Sequence, residues 1–225
     1  MSRKSSNPDT LFILDFLGKQ TDLKVVLDTV SKWLEGLIPG SMVTIMFFSE
    51  NEKHLNLISG GQYFTSAYRN ALTNLKIGPY VGACGAAAYY RKIVICEDIF
   101  IHPNWRRYQK FLIEENISAC WSVPIISAEG TLYGTFATYY RKPKSPTDEE
   151  IKKLNHAAYL TALGIDLYYE RQHKNAINDK YHSFFDHHPD TVYELDLHGN
   201  ITQLNITSKK INGFEVEQIV GLHYL

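Results

Sequence analysis

The residues able to do chemistry gather in the middle third of the chain. Cys84 and Cys96 sit in "IGPYVGACGAAAYYRKIVICEDI" (Ile77 to Ile99), Glu97 and Asp98 follow directly, His102 precedes Pro103, and Cys120 opens the stretch "CWSVPIIS". A thiol at the start of a helix feels partial positive charge that favours thiolate, the attacking form. Cys84 is therefore the candidate for thiol redox chemistry or sensing; its commoner role is that of a small buried hydrophobe. Cys96 and Cys120 fall inside predicted strands. Glu97 and Asp98 are adjacent, so on a strand they point to opposite faces and cannot act on one substrate, which leaves Asp98 as a single ligand contact. His102 has the imidazole that a haem iron accepts, but a His-Pro pair is more often a turn, and one His without companions makes no metal site. Trp105, Trp121, Tyr139 and Tyr140 offer aromatic surface to a planar ligand and are equally ordinary core.

These residues need a scaffold, and the hydrophobic pattern supplies one. Leu23, Val26, Leu27, Val30, Trp33, Leu34 and Leu37 recur at helical spacing behind Thr21 and Asp22, and Pro39-Gly40 stops the run. "MVTIMFFS" and "HLNLISG" read as a hairpin through "ENEK", and "FTSAYRNALTNL" after them reads as a helix. "GACGAAAYYRK" has the small residues of a closely packed helix, and "IVICEDI" reads as a buried strand. His102-Pro103 breaks the chain before the polar helix "NWRRYQKFLIEEN". "SACWSVPIIS" and "TLYGTFATYYRK" flank "AEG" as a second hairpin. The order predicts an α+β protein, an antiparallel sheet with helices on one side.

From Thr147 to about Arg171 a long helix is expected, with Thr147 as N-cap and Asp148, Glu149 and Glu150 in the first turn. One stripe runs Ile151, Leu154, Ala158, Thr161, Ile165, Tyr168; a second runs Ala157, Leu160, Gly164, Leu167. Two stripes suit a helix with one face on its own domain and one on a second copy, a homodimer through Ile151, Leu154, Ala158, Ile165 and Tyr168. After the polar stretch "RQHKNAINDK" come a short aromatic helix, the strands "TVYEL" and "ITQLN", and the turn "HGN".

Composition bounds the function. The chain has 225 residues, 44% of them hydrophobic, and its 23 basic and 24 acidic residues give a net charge of -1. That is a soluble globular composition without the basic footprint of a nucleic-acid binder. The first residues begin basic, but Asp15 interrupts their apolar run, so neither a signal peptide nor a membrane span is expected. Three cysteines without a C-x-x-C pair argue against a disulfide framework or a zinc site and suit a reducing cytoplasm.

The glycine turn, "HPNW", "ACWSVPIIS" and "EGTLYGTFATYYRKPKSPTDEE" together resemble a GAF domain of the type found in bacterial signalling proteins ahead of cyclic-di-GMP synthesis and hydrolysis domains. The resemblance implies a GAF sensor over 22–170, with an antiparallel sheet flanked by helices, an N-terminal helical segment over 1–21 before it and a linker helix over 171–180 after it. It implies a small-molecule pocket for which Cys84, Asp98, His102, Trp105, Cys120, Ser122 and Tyr140 are the candidate contacts, with no catalytic residue of its own. "KYHSFFDHHPDTVYELDLHGNITQLNITSKKINGFEVEQIVGLHYL" resembles the N-terminal part of a PAS domain, over 181–225. "VGACG" is also similar to the "GVCG" turn of free methionine-(R)-sulfoxide reductase, a GAF-fold enzyme. That enzyme's attacking cysteine would fall in "IFIHPNWRRYQKF", which has none. The expected protein is a cytoplasmic sensory module, without a nucleic-acid or membrane partner, that signals to an output domain outside this chain; its cofactor is left unassigned, with haem through His102 as the candidate.

Overall fold

The computed structural model describes Phe16, Lys19 and residues 22–51 and 53–224. The helical segment expected over 1–21 lies outside the described residues, apart from Phe16 and Lys19. By contact, the chain divides into two units, residues 1–168 and 169–225.

Unit 1 is built on helix α1 (Leu23–Leu37), whose N-terminus is closed by Asp22 Oδ1 accepting from Lys24 N at 2.8 Å. Strands β1 (Met42–Ser49) and β2 (His54–Ser59) form the first expected hairpin. Helix α2 (Ser66–Ala71) and strand β3 (Leu75–Lys76) share the stretch expected to be all helix. Helix α3 (Cys84–Tyr90) and strand β4 (Val94–Cys96) follow. The polar helix is shorter than its sequence suggests: a 3-10 turn over Pro103–Trp105 precedes helix α4 (Gln109–Glu115). Strands β5 (Ala119–Ile126) and β6 (Leu132–Tyr140) make the second hairpin. The six strands form one antiparallel sheet in the order β3-β2-β1-β6-β5-β4.

Helices cover both faces of this sheet, not one. On one face Val43, Ile45, Trp121, Val123, Phe136 and Tyr140 pack with α1 and with the long helix α5 (Asp148–Asp186). On the other Met42, Met46, Cys120, Ala137 and Tyr139 pack beneath α2, α3, α4 and their turns. β5 and β6 are therefore buried on both sides, so their residues lack the polar-apolar alternation that marks a half-exposed strand.

α5 begins on a capping box: Thr147 Oγ1 accepts from Glu150 N at 3.2 Å, and Glu150 Oε2 accepts from Thr147 N at 2.9 Å. Much of the stripe expected to face a second copy is buried within the chain. Leu154, Ala158 and Ile165 lie in the same core cluster as Ala157 and Leu160, and Ile151 and Tyr168 are half-buried. α1 and the sheet take up both stripes within one chain. α5 runs without a break through the linker helix expected over 171–180 and on to Asp186.

Unit 2 holds the end of α5, the hairpin β7 (Tyr193–Leu195) and β8 (Ile201–Leu204), and the short helices α6 (Thr207–Asn212) and α7 (Val216–Ile219). Buried Asn205 ties it together: its Nδ2 donates to Phe185 O at 3.1 Å and to Asp190 O at 2.9 Å, while its Oδ1 accepts from Val192 N at 3.0 Å. Among the described hydrophobic residues of this unit, Phe185 and Leu204 are the buried ones.

Two glycine substitutions test the sheet. A Cβ at Gly134 would stand 1.9 Å from Met46 O on β1, whereas one at Gly36 in α1 meets nothing within 4 Å. Gly134→Ala should destabilise unit 1 by about 3 kcal/mol or more, because backbone must move. Gly36→Ala should stabilise it by about 0.5–1 kcal/mol. Chemical denaturation of both variants reads these differences.

Candidate functional site

Antiparallel register assembles the site floor. Cα pairing sets Met42 opposite Tyr139, Tyr139 opposite Cys120, and Cys120 opposite Cys96, a row that crosses β1, β6, β5 and β4. Ser122 lies on the same face, two residues along β5 from Cys120. α3 lies over the row and brings Cys84 Sγ to 4.0 Å from Tyr139 OH. The close approach of α3 needs Gly85, where a Cβ would fall 2.8 Å from Lys76 O.

A clamp fixes the turn before α3. Gly82 N donates to Asn104 O and Asn104 Nδ2 donates to Gly82 O, both at 3.0 Å. Gly82 takes φ +54, a region that favours glycine, and its Cα faces the Trp105 ring. Trp105 in turn meets Tyr108 edge-on, with ring centroids 6.1 Å apart. Under this turn is a narrow cavity of about 20 Å³, lined by Tyr68, Leu72, Leu75, Gly82, Cys84, Trp105, Tyr108 and Tyr139 among others. Tyr68 OH and Trp105 Nε1 are buried without a hydrogen-bond partner. Each such group costs roughly 1–3 kcal/mol when left unsatisfied.

Of the expected pocket residues, Cys84 and Trp105 line the cavity, while Cys120 and Ser122 neighbour Cys84 on the sheet face without lining it. Tyr140 is not among them. It faces the opposite side of the sheet, where its ring packs on Trp121 with centroids 4.4 Å apart and Lys144 Nζ sits over it at 4.5 Å. Trp121 Nε1 donates to Lys144 O at 3.0 Å and Lys144 Nζ pairs with Glu150 at 2.7 Å, so this cluster secures the start of α5. Asp98 lies beyond the end of β4 and accepts from Phe100 N at 2.9 Å, which closes a local turn. His102 caps the 3-10 turn: its Nδ1 accepts from Asn104 N at 3.3 Å, burial holds its pKa down, and it does not line the cavity. The haem expectation rested on His102 opening into the pocket, and that geometry is not found.

The electrostatics of Cys84 run against the thiolate and with the buried hydrophobe. Burial pushes the thiol pKa up, and hydrogen bonding toward the Ser122, Thr135 and Tyr139 hydroxyls offsets this only in part. Cys96 is pushed up to about 11 and Cys120 well above its ordinary value, both chiefly by burial. The weak field of a short helix start loses to desolvation. Among the described residues no group of three or more His, Cys, Asp or Glu is placed to hold a metal.

Sequence reading missed Tyr68, Tyr108 and the Asn104 clamp. Nothing local marks Tyr68 or Tyr108, which reach the cavity through tertiary packing. Asn104 stands in the quoted "HPNW", where an Asn reads simply as a turn former. A larger groove, about 610 Å³, lies over Lys24, Asp28, Lys32, Gly60, Gly61 and Arg69. It is an open surface, and Asp28 is already bound by Lys24 Nζ at 2.6 Å and Ser59 Oγ at 2.5 Å.

A family profile described as "GAF domain" matches residues 20–166. The methyl sulfide methyltransferase-associated sensor of Methanosarcina acetivorans is 23% identical over 212 residues, covering 93% of this chain and 21% of that protein. The chain thus spans about a fifth of that relative's length. Among solved structures, the GAF domain of a phosphoenolpyruvate-protein phosphotransferase from Coxiella burnetii matches 76% of this chain and 97% of its own, at 22% identity and a TM-score of 0.54. The free methionine-R-sulfoxide reductase of Neisseria meningitidis matches 76% of this chain and 98% of its own, at 14% identity and a TM-score of 0.58. Likeness at these identities is a likeness of fold.

The thiol environment predicts slow chemistry. At pH 7 iodoacetamide should leave Cys84, Cys96 and Cys120 unlabelled in the folded chain and label all three in denaturant; rapid folded-state labelling of Cys84 would restore it as a reactive thiol. The sign for stability follows from the raised pKa values. The neutral thiols stabilise the fold below their ordinary pKa near 9, and this contribution is lost as pH rises through the folded value, for Cys96 between about 9 and 11. Stability measured against pH should fall in that window, and less steeply in Cys96→Ala.

Proposed function

The chain belongs to the GAF domain family, and from that premise we propose that it is the sensory part of a signal-transduction protein whose cavity between Tyr68, Trp105 and Tyr139 binds a small ligand. Its fold is that of a sensory or regulatory module. The observation that carries the ligand reading is the cavity with two buried, unpartnered donors beneath a turn that is clamped by one side chain, Asn104. No helix among the described residues is long and apolar enough to cross a membrane, and we place the module in the cytoplasm.

The proposed signal travels through the sheet. Tyr139 of the cavity wall, and Cys120 on the same sheet face, alternate along β6 and β5 with Tyr140 and Trp121, which hold Lys144 and the start of α5. Repacking on the ligand side therefore bears on the helix through adjacent residues of the same strands. α5 would carry the change to residues 181–225, in our reading the N-terminal part of a PAS domain, and to an output domain elsewhere in the protein. The relative named above as a sensor supports the sensory role. The sequence resemblance points to cyclic-di-GMP synthesis or hydrolysis as the output.

We place the dimer contact later on α5 than the sequence stripes suggest. Ile177 and Phe184 are 56% and 67% exposed and stand one heptad apart, so they share a face, on a stretch whose residues 172–180 are all exposed. Sedimentation should give a mass near twice the 25.8 kDa of one chain. The double variant Ile177→Glu, Phe184→Glu should halve it, and an unchanged mass would rule out this face.

The ligand reading has its own test. Mass spectrometry of small molecules released by denaturing the purified chain should find one bound compound, lost or depleted in Asn104→Ala. Finding none, with an unfolding midpoint unchanged by unfolding and refolding in clean buffer, would contradict it.

A further inference from the structure

The cavity's chemistry restricts what it can hold. Its walls carry no charged side chain. Tyr68 and Trp105, 2% and 4% exposed, leave a hydroxyl and an indole N–H without a hydrogen-bond partner. The polar neighbour of the Trp105 N–H is the Cys96 thiol, a weak acceptor, and Tyr68 OH lies near Tyr139 OH without forming a bond that meets hydrogen-bond geometry. An indole N–H only donates, so the site asks for an acceptor.

Among the described residues no cation stands in the cavity wall, and the Arg107 charge is felt from outside it, at Tyr108. Glu115 is the carboxyl group whose field reaches Tyr68. Its carboxylate accepts from Thr65 N at 3.0 Å and from Thr65 Oγ1, and the Arg141 guanidinium is taken up by the Glu115 and Asn116 carbonyls. A phosphate or carboxylate entering here would lose its water, pair directly with no cation of the wall and meet the Glu115 field at Tyr68, with Arg107 acting only from behind Tyr108.

We propose that this cavity takes a small uncharged molecule, apolar in body, whose one oxygen accepts from Trp105 Nε1 or Tyr68 OH, and that it excludes anions such as nucleotides. The proposal rests on the reading of the cavity as the ligand pocket. The volume of about 20 Å³ admits a single water. A ring-sized ligand therefore enters only if Trp105 swings aside, and the parts that must yield are Gly82 at φ +54 and the Asn104 clamp that holds it. Tyr68, Tyr108 and Tyr139 then present ring faces and edges to it.

Phenol, benzoate and toluene separate the terms, since they share a ring and differ in having a neutral oxygen, a charge or neither. Each is titrated into the full chain and followed by thermal unfolding and tryptophan fluorescence. Phenol should raise the midpoint saturably, by a few degrees at about ten times its Kd, and alter the emission. Benzoate should do neither. Trp105→Phe and Tyr68→Phe should each weaken phenol about five- to tenfold while leaving toluene unchanged. If a variant fails to fold, the contrast between phenol and benzoate on the parent chain still decides. Benzoate binding as tightly as phenol, or no saturable response to phenol, overturns the proposal. If phenol fails while the denatured chain releases an anionic compound, the ligand class is wrong and the pocket reading stands; if nothing is released and no probe binds, both fall.

Discussion

Burial of β5 and β6 on both faces is the constraint on which the rest depends. In a strand covered on one side, a residue faces either core or water; here it faces one of two cores. Trp121 and Tyr140 go to the face under α1 and α5, and Cys120, Ser122 and Tyr139 go to the face under α2, α3 and α4. A shift of register by one residue would exchange the two sets and place the large rings where α3 must come close. The backbone contact at Gly134, where only a hydrogen fits against Met46 O, holds β6 against β1 and opposes such a shift.

The same arrangement gives a physical route between cavity and helix. Neighbouring residues of one strand point to opposite sides, so the rings that wall the cavity and the rings that secure Lys144 share a backbone. Close packing in protein interiors transmits such displacements without a separate mechanism. Lys144 couples the end of the sheet to α5 by three contacts: its carbonyl to Trp121, its ammonium over Tyr140, and its ion pair with Glu150.

Much of this was legible beforehand. Both hairpins of unit 1, the capped starts of α1 and α5, and the glycine turn before α3 are local features with local causes, and each stands where its residues suggested. What failed was information that only tertiary packing holds. Tyr139 and Tyr140 are adjacent and identical in type, and a strand buried on both sides gives no polar alternation to say which faces the cavity. The two stripes of α5 read as two partners because a helix pattern counts apolar faces without saying what covers them. Cys84 kept a thiolate reading beside that of a buried hydrophobe because its place at a helix start is visible in the chain, while the burial that decides between them is not. Asn104 escaped notice since a turn-forming Asn and a clamp are spelled the same way.

The central claim is that occupancy of the cavity under Gly82 and Trp105 is felt by α5 on the far side of the sheet. Hydrogen exchange of the full chain, with and without saturating phenol, tests it most directly. The account expects slower exchange at residues 81–84 and 104–108 together with a change in protection along residues 148–165. Slower exchange at the cavity with α5 unaltered, or changes confined to the groove over Lys24 and Arg69, would contradict it.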